Sequence, residues 1–167
     1  MHDELTANDI KKMEDEIEYR KLVVRKKALD DVKVARAQGD LSENFEYKAA
    51  KREKNRNDSR IRYLERMIKT AKVIDASSNP DEIGLFDKVT IYIEEDDEEQ
   101  TIELVTTLRQ NALKGLISKE SPVGKAVMGH KKGDRVTVHV SETYSYDIVI
   151  RDVQKGSDDE SLPISSY

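Results

Sequence analysis

Three carboxylates fall within seven residues of the stretch "GDLSENFEYKAAK", Gly39 to Lys51: Asp40, Glu43 and Glu46, with no base between residues 38 and 47. Asp40 and Glu43 are three apart, one at a turn and one in the first turn of a following helix. That spacing lets both side chains point into one small volume. Two carboxylates so placed offer hard oxygen ligands to Mg²⁺, but two alone hold it weakly, because the ion keeps several waters and favours phosphate oxygens alongside. The pair therefore reads as half of a metal site. It becomes useful where another molecule brings the missing ligands and the substrate, as in two-metal phosphodiester chemistry, where one ion activates water and both neutralise developing charge. Acids at a helix start also have a simpler use, a favourable interaction with the helix dipole.

Two long helical patterns must position this stretch. Residues 6–37 contain neither Gly nor Pro and begin at a capping residue, Thr6 or Asn8, followed by Ile10, Met13, Ile17 and Val24 at helical spacing. Gly39 ends the segment. In the second pattern, Tyr47, Ala50, Lys54, Asn57, Ile61, Leu64, Ile68 and Ala71 alternate steps of three and four, the seam of a coiled coil, with Ser42 as the expected N-cap. The short join makes the two helices antiparallel neighbours, an arm of about 45 Å for roughly 30 residues of helix. Lys54 and Asn57 interrupt an otherwise apolar seam. They serve either as devices that set the register or as wet positions just off it.

Charge divides the chain. Residues 1–37 balance nine acids against nine bases, residues 48–72 carry ten bases against three acids, and residues 73–167 carry nineteen acids against ten bases. The second helix is thus a basic element in a chain of net charge −5, suited either to a solvated face or to a polyanion. Charged residues make up 38% of the chain and hydrophobic ones 37%, more surface than a compact globule needs and in keeping with elongated helices. There is no cysteine, so neither a disulfide framework nor thiolate chemistry enters. The N-terminus lacks the order of a signal peptide and no apolar run approaches a membrane span, which leads to the expectation of a soluble, cytoplasmic protein.

After Ile74 the chain passes through "DASSNPDEIGLFD", rich in turn formers, and then alternates with period two. Strands are expected at Lys88–Ile93, Thr101–Thr106, Asp134–Val140 and Tyr146–Val153, with the acidic run Glu94–Glu99 as a hairpin loop. "SPVGKAVMG", Ser121–Gly129, places Ser at an N-cap and Pro at the first helical position, and so reads as one short helix. The expected class is α+β in two domains: a helical hairpin over 1–75 with an acidic tip at 39–47, a small antiparallel sheet with a short helix over 76–155, and a flexible tail over 156–167.

The stretch "ARAQGDLSENFEYKAAK" closely resembles a signature of the bacterial transcript-cleavage factors of the GreA/GreB family, and "SPVGKAVMGHKKGDRV" resembles their C-terminal signature. The resemblance runs from Leu5 to Val153, is nearer the GreA branch, and implies an N-terminal coiled-coil hairpin followed by an FKBP-like domain. In that family the C-terminal domain docks at the rim of the secondary channel of bacterial RNA polymerase, and the hairpin passes down the channel. Its tip acids, here Asp40 and Glu43, help hold the second Mg²⁺ of the polymerase and orient water, so that the polymerase itself cleaves backtracked RNA. The factor is not an enzyme alone, binds no cofactor by itself, and works as a monomer without a membrane. Asn44, Glu46 and Tyr47 also match, the last two as local structure. A basic patch near the RNA 3′ end maps to Lys48, Lys51, Arg52 and Arg56, through phosphate contacts.

The chain departs from the family in places. Asp9 stands where Gly is usual and Lys26 where Pro is common, which implies a straighter first helix or a shifted start. Phe45 replaces a usual Ala, adding an aromatic that packs on the turn or touches the polymerase. "VTTLRQNALKGLIS" replaces a Gly- and acid-rich stretch before the short helix. The alternative function is a secondary-channel regulator with the same fold that does not cleave. Prolyl isomerase activity is disfavoured because residues 80–155 hold no Trp and only Phe86, Tyr92, Tyr144 and Tyr146 as aromatics, too few to line the pocket that activity needs.

Overall fold

A computed structural model of the chain describes residues 3–39, 44–158 and 161–165. The class is α+β, with a helical unit, Ile10–Ala71, and a sheet unit made of Asp3–Asp9 with Lys72–Tyr167.

The helical elements are α1 (Ala7–Tyr19), a π-helical turn (Arg20–Val24), α2 (Arg25–Ala37) and α3 (Phe45–Thr70). Thr6 caps α1: its hydroxyl accepts from the Asp9 N–H at 3.2 Å while the Asp9 carboxylate accepts from the Thr6 N–H at 3.0 Å, a reciprocal box that satisfies two otherwise orphan donors. The start is therefore Thr6 rather than Asn8. Just before Lys26, where the sequence implied a straighter helix or a shifted start, the helix passes through the π turn. There the Arg25 N–H reaches back five residues to the Arg20 carbonyl, which also accepts from Asn57 Nδ2 at 3.3 Å. A side chain inserted at a backbone carbonyl is one of the physical causes of such an interruption.

Asn57 is 3% exposed and also accepts from Arg20 Nη1 at 3.0 Å, so this seam position sets the register of α3 against the first helical segment. Lys54 does not: it is half-buried and pairs within its own helix, with Asp58 at 3.0 Å. Ile61 and Leu64 of α3 are buried in the seam, and Met13, Ala28 and Ala35 are buried on the other strand of helix. Cross-pairs Glu16–Arg60, Arg25–Asp58 and Arg36–Tyr47 show that α3 runs antiparallel to α1 and α2.

Glu16 sits between two guanidinium groups, Arg60 Nε at 2.8 Å and Arg20 Nε at 2.7 Å. Burial alone would raise its carboxyl; the hydrogen bonds and charges of Arg60 and then Arg20 override this and hold it below the ordinary value of 4.5. A depressed carboxyl adds stability that is fully present above its unfolded value and is lost as pH falls through the folded one. Glu16→Gln should therefore cost thermal stability at neutral pH and flatten the acid limb below about pH 4.5. Melting curves of the two proteins from about pH 7 to about pH 3 check this, and parallel acid limbs would contradict it.

In the sheet unit, β3 (Lys88–Ile93), β4 (Glu98–Val105), β5 (Leu116–Ser118), β6 (Arg135–His139) and β7 (Ser145–Gln154) form one sheet in the order β5-β4-β3-β7-β6. The expected antiparallel sheet is mixed, because β5 joins the β4 edge in parallel. β4 begins at Glu98 rather than Thr101, since exposed acidic side chains beside the hairpin turn stay in water while their backbone pairs with Ile93 and Tyr92. Alternate residues Val89, Ile91 and Ile93 meet Ile102, Leu104, Val136, Val138, Ile148 and Ile150 in the core, closed by Val127 of α4 (Pro122–Val127). Ser121 caps α4 by accepting from the Gly124 N–H at 3.0 Å, as its sequence suggested.

Like β5, two further strands had no sequence signal. β1 (Glu4–Leu5) pairs in parallel with β2 (Lys72–Val73), so the segments flanking the helices are joined. The described residues of the C-terminal segment, expected as a flexible tail, lie against the sheet unit. The Gly156 N–H donates to Asp87 at 2.9 Å, Leu162 packs on Leu85, Phe86, Val105 and Leu116, and the Ser165 N–H donates to the Leu108 carbonyl at 2.6 Å.

Candidate functional site

Asp40 and Glu43 lie outside the described residues, as does Ser42, the expected N-cap; the structure shows what brackets them. α2 ends at Ala37, Gln38 closes it by donating its N–H to the Ala35 carbonyl at 3.2 Å, and Gly39 follows at φ +142°. On the far side, the N-cap of α3 is Asn44. Its Oδ1 accepts from the Tyr47 N–H at 2.9 Å and its Nδ2 donates to the Ala35 carbonyl at 2.7 Å. One amide thus satisfies an orphan N–H at the start of α3 and ties it to the last turn of α2 as a second donor to the Ala35 carbonyl. Ser42 and Asn44 are equally good capping types; the Asn44 amide accepts with Oδ1 while it donates with Nδ2.

Tyr47 adds a second tie. Arg36 of α2 stacks its guanidinium 5.6 Å from the ring centroid and donates to the phenol oxygen over a long 3.4 Å. The hydrogen bond from Arg36, with the charge of Lys51 behind it, outweighs desolvation and holds the Tyr47 phenol below its ordinary value of 10.0. The expectation that Tyr47 belongs to local structure is physical here: it bridges the ends of two helices. Glu46 is exposed in the first turn of α3, where its charge faces the positive end of the helix dipole.

The four bases singled out in the sequence are all exposed on α3. Lys48, Arg52 and Arg56 recur at steps of four along α3, and Phe45 precedes Lys48 by three, so these side chains share one exposed face. Arg56 is paired there with Glu53 at 3.1 Å. Lys51, three residues after Lys48, also lines a groove of about 390 Å³ between α2 and α3 with Lys33, Arg36, Tyr47, Lys54 and Leu29. Lys33 and Arg36 were overlooked because they are distant in sequence and sit in a charge-balanced segment.

Among the described residues no group of three or more His, Cys, Asp or Glu is placed to hold a metal ion, and no helix is long and apolar enough to cross a membrane. An acidic join between two capped helices, a basic face and a separate sheet unit together match known proteins. The family described as "Transcription elongation factor, N-terminal" matches residues 4–73, and "Transcription elongation factor, GreA/GreB, C-term" matches residues 77–155. The chain belongs to the GreA/GreB family of transcription elongation factors. Among relatives of this GreA/GreB chain, the transcription elongation factor GreA of Geobacillus kaustophilus is 42% identical over 135 residues, 80% of this chain and 85% of that one. GreA of Streptococcus gordonii is 39% identical over 152 residues, 90% of this chain and 94% of its own length. A crystal structure of GreA factor homolog 1 (Gfh1) of Thermus thermophilus is 23% identical and covers 93% of this chain and 100% of that one, with a TM-score of 0.43.

Proposed function

We propose that this GreA/GreB family member rescues arrested transcription by stimulating bacterial RNA polymerase to cleave its own backtracked RNA, without being a nuclease itself. The helical unit acts as a coiled-coil hairpin entering the secondary channel, and the sheet unit as an FKBP-like domain that docks at the channel rim. The observation that carries the reading is the coincidence of family and site: both halves of the chain match the family in order, and its acid pair stands at the one join that Asn44 and Gly39 bracket. α3 alone has 26 residues, about 39 Å of helix. The protein would work as a cytoplasmic monomer.

Asp40 and Glu43 would hold Mg²⁺ jointly with the polymerase. Two hard oxygen donors fit that ion as a partial set, completed by ligands and phosphate from elsewhere. When bound, the ion lowers the pKa of an attacking water and neutralises charge on the phosphate being cleaved. The chain's own contribution is orientation. Asn44 and the Arg36–Tyr47 pair restrict the two helix ends, so that ordering the acids costs less when they meet the active centre. The exposed face of Lys48, Arg52 and Arg56, with Lys51 beside it, meets RNA phosphates.

The test is reconstitution. Added to a stalled elongation complex of the cognate polymerase, the protein should accelerate release of short 3′ RNA fragments, and the fragment lengths identify which backtracked states it acts on. Charge reversal of Arg52 and Arg56 together should weaken this on longer backtracked RNA and lessen its salt dependence. Polymerase binding without any acceleration would establish a non-cleaving channel regulator instead.

A further inference from the structure

Phe45 is the first residue of α3, and its side chain is 81% exposed, the most exposed aromatic among the described residues. Local structure gives no reason for it. Asn44 already caps the helix, and an aromatic ring has no special fitness for the first helical position. On α3 no other large hydrophobic side chain is exposed. What surrounds it is charge. Lys48 Nζ lies 5.7 Å from the ring centroid, and Arg52 follows Lys48 on the same exposed face, neither making an ion pair among the described residues. A lone ring at the head of a cationic stripe is how proteins hold single-stranded nucleic acid: the ring takes a base by stacking while neighbouring cations take the phosphates.

We propose that Phe45 stacks on an unpaired nucleobase at the 3′ end of the backtracked RNA, with Lys48 and Arg52 on the adjoining phosphates, and so positions the strand for cleavage. This rests on the transcript-cleavage reading. It gives Phe45 a positioning role separate from Asp40 and Glu43: the ring sets how long the RNA end dwells in one orientation, and the carboxylates act on the phosphate.

The experiment compares Phe45→Ala, Phe45→Leu and Phe45→Tyr in reconstituted stalled complexes whose 3′-terminal nucleotide is either intact or abasic. On intact RNA the Ala and Leu variants should cleave roughly tenfold to a hundredfold more slowly than the parent, the range expected for loss of one base–aromatic stack, and Tyr should stay near the parent. On abasic RNA the parent should fall to the level of the Ala variant, and the substitutions should have no further effect. Leu as active as Phe, or an equal loss from Phe45→Ala on both RNAs, would mean that the ring meets protein, and the proposal is wrong. Unchanged cleavage by Phe45→Ala on intact RNA also overturns it. A parent protein that accelerates nothing sinks the cleavage reading and this proposal together, whereas those results sink this proposal alone.

Discussion

Asp40→Asn combined with Glu43→Gln is expected to abolish stimulated RNA cleavage while leaving polymerase binding intact. Both replacements keep size and shape and remove only the charge and the carboxylate's ability to bind a hard cation. Loss of metal-based charge stabilisation is worth several kcal/mol at the transition state, about a hundredfold or more in rate. Because the two carboxylates act on one ion, either single substitution should cost nearly as much as both, the signature of residues that work as a unit. The helix ends should not suffer: the contacts among Ala35, Asn44, Arg36 and Tyr47 do not involve either acid. Cleavage rates in stalled complexes, measured beside a co-sedimentation assay for binding, decide the matter. Retained cleavage in the double variant would remove Asp40 and Glu43 from the mechanism.

Arg109→Leu is expected to be the most destabilising substitution in the sheet unit, by about 3–5 kcal/mol. The Arg109 side chain is fully buried between two carboxylates, Asp9 Oδ1 at 2.5 Å and Asp158 Oδ1 at 2.5 Å, with its guanidinium 4.9 Å from the Phe86 ring centroid. Thr6 is tied into the same cluster by its bond to Asp158 at 3.0 Å. Removing the cation leaves the Asp9 carboxylate buried without its partner, and that penalty, rather than the net worth of the triad, sets the size of the effect. Replacing Asp9, Arg109 and Asp158 together by apolar residues of similar volume should therefore cost much less than Arg109→Leu alone. Urea unfolding of the three proteins tests the order. A single variant as stable as the parent would show the triad to be no constraint.

That triad marks a limit of what could be read beforehand. Asp9 stood out only as an acid where glycine is usual, and Arg109 and Asp158 as two charges among many. Their meeting joins residues about 150 positions apart, and no local pattern encodes such a contact. The helices and most strands were legible because burial repeats with the period of the element: Ile61 and Leu64 on one helical face, Val89, Ile91 and Ile93 on one strand face. Asn57 was legible as an anomaly in a seam, though not the backbone carbonyl it binds. The two-residue strands β1 and β2 and the parallel edge strand β5 escaped because so few residues carry no period, and their pairing is decided by what they lie beside.

By itself the sequence determined the α+β class, the separation of a basic helix from an acidic remainder, and the acid pair at the join of two helices, since composition, spacing and turn chemistry are local properties. Only the tertiary structure decided that Asn44 rather than Ser42 caps α3 and holds it to Ala35, that Lys51 lines a groove with Lys33 and Arg36 of α2, and that Phe45 stands in solvent. The reason is the same in each case: a side chain's partner and exposure depend on which distant surface folding brings to it. Helical spacing constrains that choice without making it.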